Sequence, residues 1–142
     1  MRSSYTFFMK NLKFRVYHKQ LEKYLPSEEW FIDFNGNLRF FDIWSNPAEM
    51  PVVSNKDGYV IQQYTGLNDK NGVEIYEGDI VYGEVDFREI DDMGMSYGDK
   101  YTFKGEIIFK NCMFMCAEAD FMFGDYTSLE VMGNVFENKK KE

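Results

Sequence analysis

The sequence is poor in residues that interrupt strands, bind metals or cross membranes. Only three Pro, two Cys and one His occur among 142 residues. A structural zinc site takes four Cys or His ligands, so three do not suffice within one chain. No apolar run approaches the roughly 20 residues of a membrane-spanning helix, and the start lacks the features of a signal peptide. We therefore expect a cytoplasmic protein with reduced thiols, no membrane partner, no metal and no other cofactor.

Aromatic residues, in contrast, are abundant: 14 Phe, 10 Tyr and 2 Trp. Aromatic side chains favour strands. The run "NLKFRVYHK" places Leu12, Phe14 and Val16 at alternate positions, as in a half-buried strand. Asn35-Gly36 separates two aromatic-rich runs and suits a type I′ hairpin turn. Together, the segments of the chain predict seven or eight short strands and at most one or two short helices. One of the helical segments is a turn in "KQLEKYLPSEEW", which Pro26 ends. This predicts a mainly β protein.

The segment "QYTGLNDKNGVEIYEGDIV", residues 63–81, is dense in turn-forming residues. Asn71-Gly72 and Glu77-Gly78 predict two reversals between short strands. Phosphate-binding loops place their glycines before a helix N-terminus. Here β-branched and aromatic residues follow, and the lysine of a P-loop is missing. The segment is therefore expected to turn the chain and not to bind a phosphate. Gly105, inside a later strand, predicts a bulge or a close backbone approach.

Three segments make the sequence similar to a known family. They are the segment just quoted, "GEIIFKNCMF" and "LEVMGNVFEN", and "KFRVYHK" resembles the family's first strand. Together they resemble the YopX-like family of phage and prophage proteins from about Met9 to Asn138. The resemblance implies a C-terminal SH3-like barrel, a smaller N-terminal lobe of mixed structure, and a phage or prophage origin in a host cell. It implies no activity and no catalytic or binding residues.

The predicted division of the chain follows from this resemblance. It comprises an extension at residues 1–8, a β-rich lobe at residues 9–58, the barrel at residues 59–138 and a charged tail at residues 139–142. The extension and the acidic stretch from Glu84 to Tyr101 depart from the family pattern. We expect the acidic stretch to be an extended hairpin tip or a mobile loop.

Candidate ligands and nucleophiles are sparse. On one strand, Cys112 and Cys116 would lie roughly 13 Å apart, too far for a disulfide. Both are expected to be small buried hydrophobic residues. His18 is expected to be exposed and without a catalytic partner. The acids from Glu77 to Asp92 offer oxygen ligands for Mg²⁺ or Ca²⁺, but their spacing does not match a calcium loop, so a solvated acidic loop is expected.

One predicted strand is apolar on both faces, which suggests that a partner covers one of them. Alternation leaves Met113, Met115 and Phe121 on one side and Phe114, Cys116 and Met122 on the other. The predicted self-association residues are Met113, Phe114, Met115, Phe121, Met122 and Phe123.

Three functions compete. The first is a non-catalytic module that forms a homo-oligomer and binds a phage or host protein. The second is nucleic-acid binding by the basic start of the chain, with Tyr5, Phe7, Phe8, Phe14 and Tyr17 as stacking residues; the net charge of −8 opposes it. The third is a metal-dependent hydrolase using the acidic stretch, for which no catalytic constellation is visible.

Overall fold

The computed structural model describes residues 11–41, 52–53, 57–90, 93–94, 96–118 and 128–137, with only the backbone at residues 52, 86–90, 96, 97 and 99. The predicted extension, the charged tail and Phe121, Met122 and Phe123 lie outside the described residues. The strands are β1 (Phe14–His18), β2 (Lys23–Tyr24), β3 (Trp30–Ile32), β4 (Leu38–Phe40), β5 (Val52–Val53), β6 (Tyr59–Asn68), β7 (Glu74–Tyr76), β8 (Asp79–Ile90), β9 (Ser96–Lys110), β10 (Met113–Cys116) and β11 (Ser128–Asn134).

The fold is mainly β, as predicted, and it contains a half-barrel sheet. No described residue lies in an α-helix. The helical turn predicted before Pro26 is wrong, because residues 19–22 form a turn that returns the chain into β2. None of the described elements is a helix long and apolar enough to cross a membrane. The SH3-like description and the domain division at residue 58 stay predictions.

Two compact units divide the chain, each with its own core. One unit contains Phe14–Gln63. Here β1 lies between β2 and the first half of β6, with Val16 opposite Ile61. Val16, Trp30 and Leu38 form the core, and partly buried aromatic and aliphatic side chains pack around it. Tyr17, which alternates with Phe14 and Val16 along β1, is also buried, and its ring packs edge-on against Tyr24.

A side-chain acceptor closes the hairpin between β3 and β4. The carboxylate of Asp33 accepts hydrogen bonds from the backbone N–H groups of Asn35 and Asn37, both at 2.9 Å. Gly36 has a φ of +80°, whereas the φ of Asn35 is not positive. The predicted hairpin at Asn35-Gly36 is confirmed. The type I′ geometry is wrong, because that turn requires a positive φ at both positions.

The second unit is built around the sheet β10-β9-β8-β11. The long hairpin of β8 and β9 is paired from Ile80–Glu106 out to Ile90–Ser96. The described backbone of the acidic stretch therefore forms an extended hairpin, one of the two predicted forms. The core contains Ile75, Val81, Ile107, Cys116 and Leu129, with Phe103, Phe114 and Val131 packed against it. A bulge between Val131 and Gly133 shifts the register of β11; bulges of this kind bend a sheet.

Two glycines allow the close packing of this core. A Cβ atom at Gly83 would overlap the ring of Phe103 and reach Leu129. A Cβ atom at Gly105 would overlap the carboxylate of Glu118 and the sulfur of Cys116. The close approach at Gly105 thus comes from two side chains, whereas the prediction named a bulge or a backbone.

Replacing Gly83 with Ala is expected to destabilise the protein by about 1–3 kcal/mol, the usual cost of overpacking a core. Chemical denaturation measures the loss. The double variant Gly83→Ala/Phe103→Leu should lose less than the sum of the two single variants, because the smaller side chain makes room for the methyl group. Strict additivity of the two losses would contradict the predicted contact.

The carboxyl group of Asp33 should titrate far below the ordinary range. The guanidinium of Arg39 lies 2.7 Å from it, and with the N–H groups of Asn37 and Asn35 it lowers the pKa of Asp33 to about 2. We expect an NMR titration to give this value, and Arg39→Met to move the pKa back towards 3.8. Arg15→Met is the control, since Arg15 bonds to Gln62 instead. An unchanged pKa in Arg39→Met would be inconsistent with this cause.

Candidate functional site

The turn-rich segment at residues 63–81 contains several polar side chains that make hydrogen bonds, so it is the first candidate site. It contains the end of β6, a turn at residues 69–73, β7, and a second turn before β8. The hydroxyl of Thr65 donates to the carbonyl of Ile75 at 2.9 Å, and the amide of Asn68 donates to the carbonyl of Gly72 at 3.1 Å. Gly72 has a φ of +82°. The reversal predicted at Asn71-Gly72 is confirmed.

Asp69 is the centre of the first turn. One carboxylate oxygen accepts from the backbone N–H groups of Asn71 at 2.8 Å and Val73 at 2.9 Å. The other oxygen accepts from the N–H of Val131, in β11, at 3.1 Å. The N–H of Lys70 donates to the carbonyl of Leu129 at 2.9 Å. This carboxylate therefore fixes the turn internally and also fastens it to β11, more than 60 residues further along the chain.

The burial and the pKa of Asp69 are consistent with this structural role. The side chain is only 7% exposed. Burial alone would raise the pKa of Asp69, but the hydrogen bonds from Val131, Val73 and Asn71 outweigh it, so the pKa lies below its ordinary value. The ionised form is thus the one that the fold stabilises.

The second turn is fixed in the same way. Gly78 has a φ of +79°; its N–H donates to the carbonyl of Ile107 at 2.8 Å and its carbonyl accepts from Val135 at 2.9 Å. The buried carboxylate of Asp79 accepts from the N–H of Tyr76 at 2.8 Å. The reversal predicted at Glu77-Gly78 is confirmed. These backbone N–H groups, which a phosphate would need, already bind protein oxygens.

Strand β10 is the second candidate site. It pairs with β9 through Met113–Lys110, Phe114–Phe109, Met115–Ile108 and Cys116–Ile107. Phe114 and Cys116 pack with the core, so alternation directs Met113 and Met115 to the opposite face. Of the described self-association candidates, Phe114 is therefore used by the core of its own unit, whereas Met113 is 38% exposed and Met115 is partly buried.

The comparisons with known proteins agree with the similarity seen in the sequence. The family model described as "YopX protein" matches residues 13–141, nearly the whole chain. The chain belongs to the YopX family. Among curated proteins, none matches the sequence.

A solved structure resembles this YopX-family protein. It is the crystal structure of protein EF1440 from Enterococcus faecalis, with a TM-score of 0.56 and 26% sequence identity. The match covers 92% of this chain and 97% of that chain. The similarity therefore extends over both units and supports a shared fold.

The cysteines of the YopX-family protein differ from each other. Cys116 is completely buried in the core, as predicted. The prediction that Cys112 is buried is wrong, because it lies in the two-residue turn between β9 and β10 and is exposed. Asn111 and Cys112 have φ values of 53° and 62°, the positive pair that a type I′ turn requires.

His18 is buried, not exposed as predicted. Its ring packs edge-on against Tyr59 at 4.5 Å, and its Nδ1 atom accepts a hydrogen bond from the N–H of Leu21 at 3.3 Å. In the sequence His18 lies beside a lysine at a strand end, and neither contact can be predicted from that position. Among the residues that the structure describes, no three His, Cys, Asp or Glu side chains are placed to hold a metal ion.

Replacing Asp69 with Asn should destabilise the YopX-family protein by about 1–3 kcal/mol near pH 7, because the N–H of Val131 loses its carboxylate acceptor in a partly buried contact. The folded pKa of Asp69 is depressed. Its contribution to stability is therefore present above the unfolded pKa of about 3.9 and is lost as the pH falls through the folded pKa. Urea unfolding should thus show a constant difference above about pH 5, and a smaller one in stronger acid.

The control for this measurement is Lys70→Met, which removes the exposed ion pair between Lys70 and Glu130. We expect this variant to unfold almost as the wild type does, since exposed ion pairs contribute little. If Asp69→Asn were as stable as the wild type at pH 7, the assigned role of the carboxylate would be wrong.

Proposed function

We propose that this YopX-family protein is a non-catalytic interaction module of phage or prophage origin, which self-associates and binds a phage or host protein in the host cytoplasm. In this proposal the second unit is an SH3-like barrel. The observation that carries it is the apolar character of β10 on both faces. One face, with Phe114 and Cys116, packs with the core, and the other presents Met113 and Met115.

The use of the polar residues supports a role in binding and not in chemistry. Asp69 and Asp79, the buried carboxylates of the turn-rich segment, accept backbone N–H groups. A general base or nucleophile must instead keep an atom available to the substrate. The same residues that identify the family thus maintain its turns.

Nucleic-acid binding is the second candidate, and the described part of the basic segment gives it little support. Phe14 packs against the core of its unit and Tyr17 is buried, so neither ring offers a face for stacking on a base. Lys13 is paired with Glu74. A salt-dependent gel shift with single-stranded DNA or RNA would favour this function over the first.

Sedimentation equilibrium of the purified protein tests the self-association. We expect a mass that is a multiple of the chain mass, with a concentration-dependent approach to the monomer on dilution. A strict monomer at the highest attainable concentration would overturn this part of the proposal. Affinity capture from prophage-induced cells then identifies the second partner, and Met115→Glu serves as a matched bait with the apolar face disrupted.

A further inference from the structure

The chain contains the pattern Asp-x-Asn-Gly twice, at residues 33–36, which we call the Asp33 turn, and at residues 69–72, the Asp69 turn. In each, the aspartate carboxylate accepts from the N–H of the asparagine. The N–H of the glycine donates to the aspartate carbonyl, at 2.9 Å in the Asp33 turn and 3.0 Å in the Asp69 turn. Both Asn-Gly pairs are exposed. The same dipeptide thus occurs in the same local geometry at two places.

An Asn-Gly pair can modify itself, because glycine has no side chain to block an approach to its backbone nitrogen. That nitrogen loses its proton and bonds to the side-chain carbonyl carbon of the asparagine, whose amide nitrogen leaves as ammonia. Water then opens the five-membered succinimide ring, which gives aspartate or isoaspartate. The reaction needs no oxidant, reductant or cofactor. It needs a glycine N–H released from its hydrogen bond and a side-chain amide that can rotate towards it.

The Asp69 turn restrains both reacting groups. The side-chain amide of Asn71 is hydrogen-bonded to the carboxylate of Asp69. The same carboxylate accepts from an N–H of β11 at 3.1 Å, and the N–H of Lys70 donates to a carbonyl of β11 at 2.9 Å. Because these two bonds attach the turn to the sheet, an opening that frees the glycine N–H must also disturb the contact with β11.

The Asp33 turn restrains the same groups less. Among the described residues, the side-chain amide of Asn35 has no hydrogen-bond partner. The other bonds of the Asp33 carboxylate go to Asn37 and Arg39, which belong to the same hairpin. Phe34, beside the asparagine, is fully exposed, so water reaches the tip. A local opening of this hairpin tip is therefore enough to free the glycine N–H.

We propose that Asn35 is a site of spontaneous deamidation in the folded protein, whereas Asn71, in the same sequence pattern, is protected. The product has one more negative charge beside Asp33 and, as isoaspartate, one more atom in the backbone. The Asp33 carboxylate accepts from the N–H groups of both Asn35 and Asn37, on either side of that atom. The modification therefore disturbs the bonds that close the hairpin between β3 and β4. This inference is independent of the proposed self-association.

Peptide mapping by mass spectrometry tests the assignment. The intact purified protein is incubated at mildly alkaline pH, and the conversion of amide to carboxylate is followed at both Asn-Gly pairs. We expect Asn35 to react at least tenfold faster than Asn71, because its turn opens more readily. In the chain unfolded by urea, the two should react at similar rates, since neither turn is then present. The rate at Asn35 should increase with pH, because the attacking nitrogen must lose its proton.

Two results of this measurement would overturn the proposal. One is a rate at Asn71 that equals or exceeds the rate at Asn35 in the folded protein. The other is an unreacted Asn35 in the folded protein after the unfolded chain has reacted completely. Asn35→Gln is the control for the assay, since glutamine would have to form a less favourable six-membered ring, and its peptide should stay unmodified.

Two variants test the structural cause. Arg39→Met removes a partner of the Asp33 carboxylate, so it should increase the rate at Asn35 and leave the rate at Asn71 unchanged. Asp69→Asn removes the carboxylate that attaches its turn to β11, so it should raise the rate at Asn71 towards that at Asn35. Circular dichroism confirms that each variant remains folded. If neither variant changes the rate at its own asparagine, these restraints do not control the reaction and the proposal is wrong.

Discussion

The carboxylate of Asp69 is the constraint on which the second unit depends. It accepts three backbone N–H groups, two inside its own turn and one in β11. A buried ionised carboxylate is costly unless hydrogen bonds replace its hydration, and here they lower its pKa despite burial. The turn and β11 therefore stabilise each other, because neither could keep these bonds if the other moved away.

This arrangement shows what the polar side chains of the turn-rich segment at residues 63–81 do in the fold. Its carboxylates accept backbone N–H groups at both reversals, Asp69 at the first and Asp79 at the second. Asp33 does the same in the hairpin between β3 and β4. The proposed role in binding is in line with this use of the carboxylates.

Much of this fold can be predicted from local sequence patterns. Period-two alternation predicts strands such as β1, and the pairs Asn71-Gly72 and Glu77-Gly78 predict the reversals at Gly72 and Gly78. Features that depend on contacts between residues far apart in the sequence could not be predicted from it. The burial of His18 requires Tyr59, the packing at Gly83 requires Phe103 and Leu129, and the role of Asp69 requires Val131. The sequence spacing of Asp69 and Asn71 was the one local signal for that site, since Asp commonly bonds to the backbone two residues on.

Native-state hydrogen exchange of the amides of Asn71, Val73 and Val131 tests the structural role of the turn most directly. If the Asp69 carboxylate holds all three, they should exchange only through the unfolding that also exposes β11, with protection close to that of Val81 in the core. Exchange of Asn71 and Val73 at the rate of an open loop, while Val81 stays protected, would show that the turn is not fastened to the sheet.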